Sequence, residues 1–278
     1  MKSVWARGRW ALALLALVGL AACGESPSPV AIAAGIDHSV WDRLLRKYVD
    51  DKGLVDYSRW KADPADRGAL RDYLARIAAP ARETASGSES DASLINAYNA
   101  LVIGLVLDNY PTPSIRHLPA PFSRARHTVA GRLVSLDAIE HGTLRPQLGF
   151  LAHGALVCGA RSCPPLAAEA YRGDRLTNQL AFAMRRWLAR QDLNEFLPYQ
   201  NQARVSEIFR WYEEDFEQTP GGLRGVLSRY APARFQPFLA QARFAIRYKP
   251  YDWGLNDQGP AGRDYGRWSL FWDKLRNR

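Results

Sequence analysis

The stretch from Leu94 to Leu107 constrains the fold more than any other part of the chain. Apolar residues lie on nearly every side of the helix that this stretch predicts, and Asn109-Tyr110-Pro111 would end it. A helix that is apolar all round has to be enclosed, because an exposed face would leave a large apolar surface in water. We therefore predict a central buried helix with the rest of the domain packed around it.

Two asparagines, Asn96 and Asn99, interrupt this apolar stretch three residues apart, which places them on one face of the helix. Buried amide groups have to find hydrogen-bond partners. The favoured interpretation is that both asparagines hold neighbouring loops. The alternative is that Asn99 serves a catalytic site, by orienting an imidazole or by donating to an oxyanion.

The first 22 residues have the composition of an export signal. Three basic residues precede the apolar run from Trp10 to Ala22, which is too short to span a bilayer comfortably. The sequence Leu20-Ala21-Ala22-Cys23-Gly24 then resembles the cleavage site of bacterial lipoproteins, in which the cysteine carries the acyl chains. An ordinary signal that is cut after a pair of small residues is the alternative.

The lipoprotein resemblance implies an anchor at Cys23 after removal of residues 1–22. Gly24, in place of an aspartate, implies sorting to the outer membrane of a Gram-negative bacterium, with the protein facing the periplasm. Acyl chains contribute about 0.8 kcal/mol per buried CH₂, so three chains would hold the protein durably. Residues 23–36 are small and contain prolines, which predicts a flexible tether before a globular domain over residues 37–278.

The charge balance excludes some classes of partner. The net charge of +9 falls to +6 once residues 1–22 are removed, because that segment holds three basic residues and no acidic one. The remaining basic residues are scattered among acids, which is typical of a mixed solvated surface, and export also excludes nucleic acid. A hydrophobic fraction of 47% is sufficient for a sizeable core.

Periodicity in the rest of the chain predicts short helices with a few strands. Helical spacing recurs in 41–48, 70–77, 136–144, 166–171, 176–188 and 208–212, and residues 80–91 predict a polar loop. Strands are expected in a hairpin over 127–134 that turns at Gly131, and in 203–205 and 244–248. We predict an α+β fold, a mainly helical single domain around a small antiparallel or mixed sheet.

The stretch from His153 to Pro165 contains a histidine and the two cysteines that follow Cys23 in the chain. Its apolar start predicts a short buried strand that Gly159 ends, and its two final prolines suit the start of a helix. Two cysteines so close together in an exported chain predict a disulfide between Cys158 and Cys163, and a reactive thiol is the alternative.

Six blocks of the chain resemble the domain-of-unknown-function family 547 and follow its order. They are Ile95–Leu101, Asn109–Pro111 with Ser114–Arg116, Ile139–His141 with Leu144–Arg145, Ala155–Leu166, Ile208–Tyr212 with Asp215–Phe216, and Tyr251–Asp257. The resemblance implies membership of this family and carries no activity with it. A buried helix followed by a segment opening with histidine is also similar to papain-like and transglutaminase-like enzymes, but their helix begins with a cysteine that this chain lacks.

A catalytic set can be assembled around Cys158. Asp137 and His141 lie four residues apart on one helix face, so Asp137 can orient the imidazole, while Glu140 points about 100° away and would reach the site from another face. Cys158 as nucleophile, His141 as base and Asn99 as amide donor complete the set.

Other assignments of these residues are less well supported. His153 is not the predicted partner of Cys158, because five residues of strand would separate their Cα atoms by about 16 Å. A zinc site at Cys158 and Cys163 lacks a paired histidine spacing. The acidic run over 213–217 lacks the ligand spacing of a calcium loop and predicts a solvated face. We therefore predict no metal and no cofactor.

These features favour a noncatalytic binding module of the cell envelope whose central loop is held by a disulfide. The membrane would be a partner through the lipid anchor, and the ligand would be an envelope protein, a peptide or a small molecule. The alternative is a thiol-dependent hydrolase or acyl transferase that uses Cys158 with His141.

Overall fold

The computed structural model describes residues 29–124, 126–241, 243–263 and residue 265. The predicted signal peptide, Cys23 and the beginning of the predicted tether lie outside the described residues. Val30 and Ile32 are already buried, and Ala33 pairs with Thr84. The packed part of the chain therefore begins before the predicted boundary at residue 37.

The described chain is mainly helical, which confirms the predicted α+β class. Its α-helices are α1 (Ser39–Tyr48), α2 (Tyr57–Ala62), α3 (Pro64–Ala78), α4 (Gly87–Asn109), α5 (Leu136–Ile139), α6 (Arg145–Leu148), α7 (Ala152–Ala155), α8 (Leu176–Ala189), α9 (Ile208–Trp211), α10 (Glu213–Glu217), α11 (Gly222–Tyr230) and α12 (Gln236–Leu239). A π-helix covers Glu140–Leu144, and 3₁₀ turns cover Ile115–His117, Gly149–Leu151, Gly173–Arg175, Pro198–Gln200 and Ala233–Phe235.

Two small sheets accompany the helices. Their strands are β1 (His127–Val129), β2 (Arg132–Val134), β3 (Glu195–Leu197), β4 (Gln202–Ser206) and β5 (Ala245–Lys249). The β1–β2 hairpin is antiparallel, as predicted. In the second sheet β4 is central, antiparallel to β3 and parallel to β5, which makes it a mixed sheet. Strand β3 escapes prediction because its three residues are too few to display an alternating pattern, and no glycine turn like that of the β1–β2 hairpin joins it to β4.

Helix α4 is the central buried helix that the sequence predicts. Helices α2, α3 and α5 pack against it. It is long and apolar enough to cross a bilayer, but 78% of its most apolar window is buried inside the protein. It begins at Gly87, so the predicted loop over residues 80–91 is wrong in its second half. The first turns of the helix are polar because they face solvent, which hides them from a search for apolar periodicity.

Aromatic rings fill the core beside α4. The Trp41 ring stacks on Tyr73 and the Tyr48 ring on Trp60, with ring centroids 5.9 Å and 4.6 Å apart. All four side chains are buried. Removal of one such ring typically costs about 3–5 kcal/mol, so this cluster fixes how α1, α2 and α3 pack together.

The predicted buried strand that opens with His153 is wrong, because residues 152–155 form helix α7. The backbone becomes extended only at Leu156, and Gly159 then turns the chain with a φ of 84°. A Cβ at Gly154 would lie 2.7 Å from the Met184 sulfur. The absence of a side chain at Gly154 therefore lets α7 pack closely on α8.

The predicted helix after Pro164 is also wrong, since residues 164–172 have no helical structure. Long-range hydrogen bonds hold this segment. Asp42 accepts from the Ala170 N–H, and Asn96 bonds both the N–H and the C=O of Tyr171. These bonds satisfy backbone groups that a helix would otherwise pair internally.

The C-terminal segment from Tyr251 to Gln258 closes the domain across the stretch from His153 to Pro165. Leu255 pairs with Ala160, and Asp257 pairs with Val55. The Tyr57 hydroxyl donates to the Asn256 side chain at 2.9 Å, across 199 positions of sequence. Residues from both ends of the described chain thus meet beside the turn that contains the cysteines.

Candidate functional site

An aromatic cavity of about 130 Å³ opens where α7, the π-helix, α9 and the C-terminal segment meet. Its wall combines aromatic rings, titratable groups, three aliphatic residues and the two cysteines: Tyr98, Phe122, Asp137, Glu140, His141, His153, Leu156, Cys158, Cys163, Pro164, Ile208, Trp211, Tyr212, Tyr251 and Trp253. The structure therefore brings together four of the five predicted catalytic residues, namely Cys158, His141, Asp137 and Glu140. Asn99 does not belong to this wall.

Cys158 and Cys163 form the predicted disulfide, with their Cα atoms 6.3 Å apart. The Tyr251 hydroxyl lies 3.3 Å from Cys158 Sγ and 3.1 Å from Cys163 Sγ. Disulfide sulfurs have no proton, so Tyr251 is the donor. The Cys158 N–H also donates to Cys163 Sγ at 3.1 Å.

The disulfide leaves no thiolate for zinc, because zinc binds the deprotonated sulfur of a free cysteine. Among the described residues, no group of three His, Cys, Asp or Glu side chains is placed to hold a metal ion.

Asn99 holds the backbone segment that leads to Cys158. Its side-chain amide donates to the Ala155 C=O, and its oxygen accepts from the Val157 N–H, both at 2.9 Å. Asn96 makes the corresponding pair of bonds to Tyr171. Both amides thus hold neighbouring backbone, which is the structural role that the sequence favours.

The π-helix places His141 between an acid and a guanidinium. His141 Nε2 lies 3.8 Å from Asp137 Oδ1, so the predicted pair is close but beyond hydrogen-bond distance. Arg145 donates to His141 Nδ1 at 3.0 Å. Arginine has only donors, so Nδ1 is the acceptor and the proton of the neutral ring sits on Nε2. Neither nitrogen of neutral His141 keeps a free lone pair.

Glu140 is a largely buried carboxyl group whose hydrogen-bond donors are phenols. Tyr98 donates to one carboxyl oxygen at 2.8 Å and Tyr212 to the other at 3.5 Å. Burial raises the pKa of Glu140, and the neighbouring His141 and the bond from Tyr98 oppose this rise only in part. Glu140 therefore takes up a proton more readily than a solvated glutamate does.

Asp215 of α10 holds His153 from behind the cavity wall. His153 Nε2 lies 2.6 Å from Asp215 Oδ2, and Arg145 donates to both oxygens of the same carboxylate at 2.8 Å and 3.1 Å. Burial alone would raise the pKa of Asp215, but the bonds from Arg145 and His153 outweigh it and lower the pKa.

His153 is neutral at pH 7, because burial lowers its pKa to about 4. Its Nε2 proton points at the Asp215 carboxylate, so Nδ1 is an acceptor. In the part of the chain that the structure describes, no group donates a hydrogen bond to this Nδ1. Asp215 thus orients His153 in the cavity wall, and Nδ1 of His153 stays open.

Sequence reasoning missed this pair. The prediction of a solvated acidic run holds for Glu213 and Glu214, which are exposed, but not for Asp215, whose side chain is 13% exposed. A signal was present, since Asp215 follows Tyr212 by three residues and Ile208 by seven. That spacing places it on the inward face of the helical region.

Three aromatic side chains form a rim on one side of the cavity. The rings of Trp211 and Tyr251 have centroids 4.8 Å apart, Trp211 and Trp253 5.9 Å, and Tyr251 and Trp253 4.6 Å. Trp211 is 43% exposed although it is large and apolar. This aromatic rim offers ring surface to a ligand that enters the cavity.

A larger cavity of about 500 Å³ lies beside the start of α1 and the 3₁₀ turn at Gly173–Arg175. Its charged side chains are paired among themselves and with neighbours, as in Arg46 with Asp42 and Arg172 with Asp174. These groups are already satisfied, so the smaller aromatic cavity is the stronger candidate for a functional site.

Comparison with known proteins gives one match. The family model described as "Protein of unknown function, DUF547" matches residues 83–188. No curated protein and no solved structure matches the chain. The matched residues include Asn99, the π-helix and both cysteines, whereas Asp215 and Tyr251 lie beyond them. Residues 83–188 of this chain are therefore a DUF547 domain.

Proposed function

We propose that the protein is a noncatalytic binding module that takes a small amphipathic ligand into the aromatic cavity. The observation that carries this proposal is the state of the reactive groups. Both sulfurs are bonded to each other, and neither nitrogen of His141 keeps a lone pair for a substrate proton. The groups that remain available to a ligand are ring faces, carboxyl oxygens and the open Nδ1 of His153.

The wall defines the chemistry of this ligand. An apolar or aromatic portion would lie against the aromatic rim. Asp137 and Glu140 would accept hydrogen bonds from an amine or a hydroxyl group on the same molecule, and a ligand ammonium would also be attracted to the ring faces. A ligand carboxylate would meet two acidic side chains and is expected to be rejected. A small envelope molecule or the end of a peptide fits these requirements.

The test uses phenethylamine, which joins one aromatic ring to one ammonium group, and phenylacetate as the matched anion. We expect saturable changes in tryptophan fluorescence with phenethylamine only. Trp211→Ala and Glu140→Gln should each weaken binding at least about fivefold, the equivalent of one good contact. Tyr199→Ala should not, because Tyr199 is fully exposed and outside the cavity. Equal binding of amine and acid, or binding that Trp211→Ala leaves intact, would contradict the proposal.

A cysteine-dependent hydrolase or acyl transferase is the second candidate, because Cys158 shares the cavity with His153, whose Nδ1 is open. Asp215 orients His153, and the open Nδ1 of this ring is an alternative base to the predicted His141, whose Nδ1 accepts from Arg145. In reduced protein at pH 6.5, the binding-module proposal expects Cys158 to react with an uncharged ester or amide panel no faster than a model thiol. Acylation of Cys158 that His153→Gln abolishes would favour the enzyme instead.

We further propose that Cys23 anchors the protein in the outer membrane, facing the periplasm. The order of basic, apolar and Leu-Ala-Ala-Cys segments supports this. Only about 25 Å of extended chain would separate Cys23 from the buried Val30, so the domain would stay close to the bilayer surface. Cys23→Ala should release the protein from membranes, and intact mass should show acyl chains on the native protein only. Identical partitioning and mass increments would contradict the anchor.

A further inference from the structure

We propose that the Cys158–Cys163 disulfide is a redox-active bond that exchanges with a thiol entering the aromatic cavity. Cys158 is the sulfur that the thiol attacks, and Cys163 is the sulfur that leaves. This activity goes beyond ligand binding and does not depend on it.

The two sulfurs differ in access. Cys158 is partly exposed, whereas Cys163 is 4% exposed. Both belong to the cavity wall, so a thiol reaches the bond without unfolding of the domain. Access decides which sulfur of a disulfide is attacked, and here it favours Cys158.

The donors around the sulfurs favour Cys163 as the leaving group. The Cys158 N–H and the Tyr251 hydroxyl both point at Cys163 Sγ, each at 3.1 Å. Hydrogen bonds to a thiolate lower the pKa of the thiol, and a leaving thiol of lower pKa departs faster. Burial raises the pKa of Tyr251, so its hydroxyl keeps the proton that it donates. The charge that forms on Cys163 thus meets two donors that are already in place.

The turn between the cysteines is held without the disulfide. The Arg161 N–H donates to the Gly254 C=O at 2.7 Å, and the Ser162 N–H donates to the Asp252 C=O at 3.2 Å. The Ser162 hydroxyl accepts from the Asp252 N–H at 2.8 Å. These bonds to the C-terminal segment would keep the turn in place after the disulfide is reduced. A disulfide with a purely structural role would not need such a second support.

The exchange balances with thiols as the only co-reactant. A thiolate R–S⁻ attacks Cys158 Sγ, the bond between the two sulfurs breaks, and its electron pair leaves with Cys163 as a thiolate. A second R–S⁻ attacks the sulfur of R in the R–S–Cys158 bond and releases Cys158 as a thiolate. Two thiols are thereby oxidised to R–S–S–R, and Cys158 and Cys163 are reduced. The aromatic rim suits a small thiol or a cysteine that an apolar peptide carries.

Glutathione is the probe for the test, used with the mature, folded protein. After brief incubation at pH 7.5 and an acid quench, peptide mapping with N-ethylmaleimide should show glutathione on Cys158 and maleimide on Cys163, in at least about tenfold excess over the reverse. Glutathione mainly on Cys163, or equally on both, would overturn the assignment. Reduction that requires denaturant would show a structural disulfide.

Tyr251→Phe tests the leaving-group argument. Reduction by dithiothreitol should slow about fivefold, the rate equivalent of one lost hydrogen bond. Tyr230→Phe, in α11 and outside the cavity wall, should leave the rate unchanged. A rate that Tyr251→Phe does not lower, in a variant whose circular dichroism matches the native protein, would contradict the role of Tyr251. The glutathione map uses the native protein, so it does not depend on whether a variant folds. Phenethylamine binding tests the proposed function separately from the thiol exchange.

Discussion

Asp66 and Glu140 are acidic side chains inside the same protein, but their partners differ in charge. Asp66, at the start of α3, accepts hydrogen bonds from Arg43 at 2.8 Å, Lys47 at 2.5 Å and Tyr48 at 2.9 Å. Burial alone would raise its pKa, yet these donors outweigh burial and lower the pKa to about 2. Among the described residues, the phenols of Tyr98 and Tyr212 are the hydrogen-bond donors to Glu140, and burial raises its pKa.

The difference separates a structural carboxylate from a site carboxyl. Cations compensate the charge of Asp66 and tie α1 to α3, and Asp66 lines none of the cavities described above. No cation in the described part of the chain donates a hydrogen bond to Glu140, and the group faces the aromatic cavity. Perturbed carboxyl groups that face a cleft are frequent at functional sites. Asp215 combines both features, since it is ion-paired and orients a cavity histidine.

Asp215→Asn should have the largest effect on stability, a loss of about 3 kcal/mol, because Arg145 and His153 would lose a charged acceptor in a largely buried place. An asparagine amide would also point a donor at one of these two donors. Urea unfolding at pH 7 measures the loss. Glu214→Gln in the same helix is the control and should change stability by less than about 0.5 kcal/mol. A stability loss no larger than that of Glu214→Gln would show that Asp215 is not a structural carboxylate.

Asp66→Asn should lower the free energy of unfolding by about 2 kcal/mol. This loss is smaller than that of Asp215→Asn because Arg43 and Lys47 are partly solvated. The folded-state pKa of Asp66 is below its unfolded value of about 3.9, so its contribution is complete above pH 4 and declines as pH falls toward 2. Unfolding of native and Asp66→Asn protein between pH 2 and 7 should show this convergence. Asp72→Asn, on the exposed side of α3, should show no such trend.

Glu140→Gln should act in the opposite direction. The folded-state pKa of Glu140 is raised, so its ionisation disfavours the folded state as pH rises above the unfolded value of about 4.3. Glu140→Gln should raise the free energy of unfolding by on the order of 1 kcal/mol at pH 8 and should leave it unchanged below pH 4. A stability loss at pH 8 would place Glu140 with Asp66 as a structural carboxylate.

Tyr98→Phe should have the smallest effect on stability, about 0.5 kcal/mol at pH 4. The bond from Tyr98 lowers the pKa of Glu140, so its removal should raise that pKa further. Carbon-13 NMR of labelled glutamate side chains measures the titration directly. Tyr230→Phe, the control, should leave the pKa of Glu140 unchanged. A downward shift in Tyr98→Phe would mean that another group controls this carboxyl.

Features of the sequence that are local and repeated were predictable. The apolar run of α4 and the helical spacing of α8 each extend over enough residues to show a period, and Gly131 marks the turn of the hairpin. The short spacing of Cys158 and Cys163 predicted their disulfide. The cavity could be expected in part, since Cys158, His141, Asp137 and Glu140 all contribute to its wall.

Features that depend on distant partners were not predictable. Residues 164–172 are not helical, and Asp42 and Asn96 hold their backbone, while α7 packs closely on α8 because Gly154 lets it contact Met184. Asp215 reaches His153 across 62 positions. Such contacts exist only after the chain has folded, so no local pattern records them.

The contact between the Tyr57 hydroxyl and Asn256 spans 199 positions and has a consequence for folding speed. The Tyr48 C=O also accepts from the Gln258 side chain, 210 positions away. Ordering a loop of this size before its contacts form costs entropy, and chains with many distant contacts fold slowly. Part of the surface of the N-terminal helices therefore stays exposed to solvent until the C-terminal segment has been synthesised and can pack against them. An encounter with a chaperone during that interval would protect more apolar surface than at any later stage.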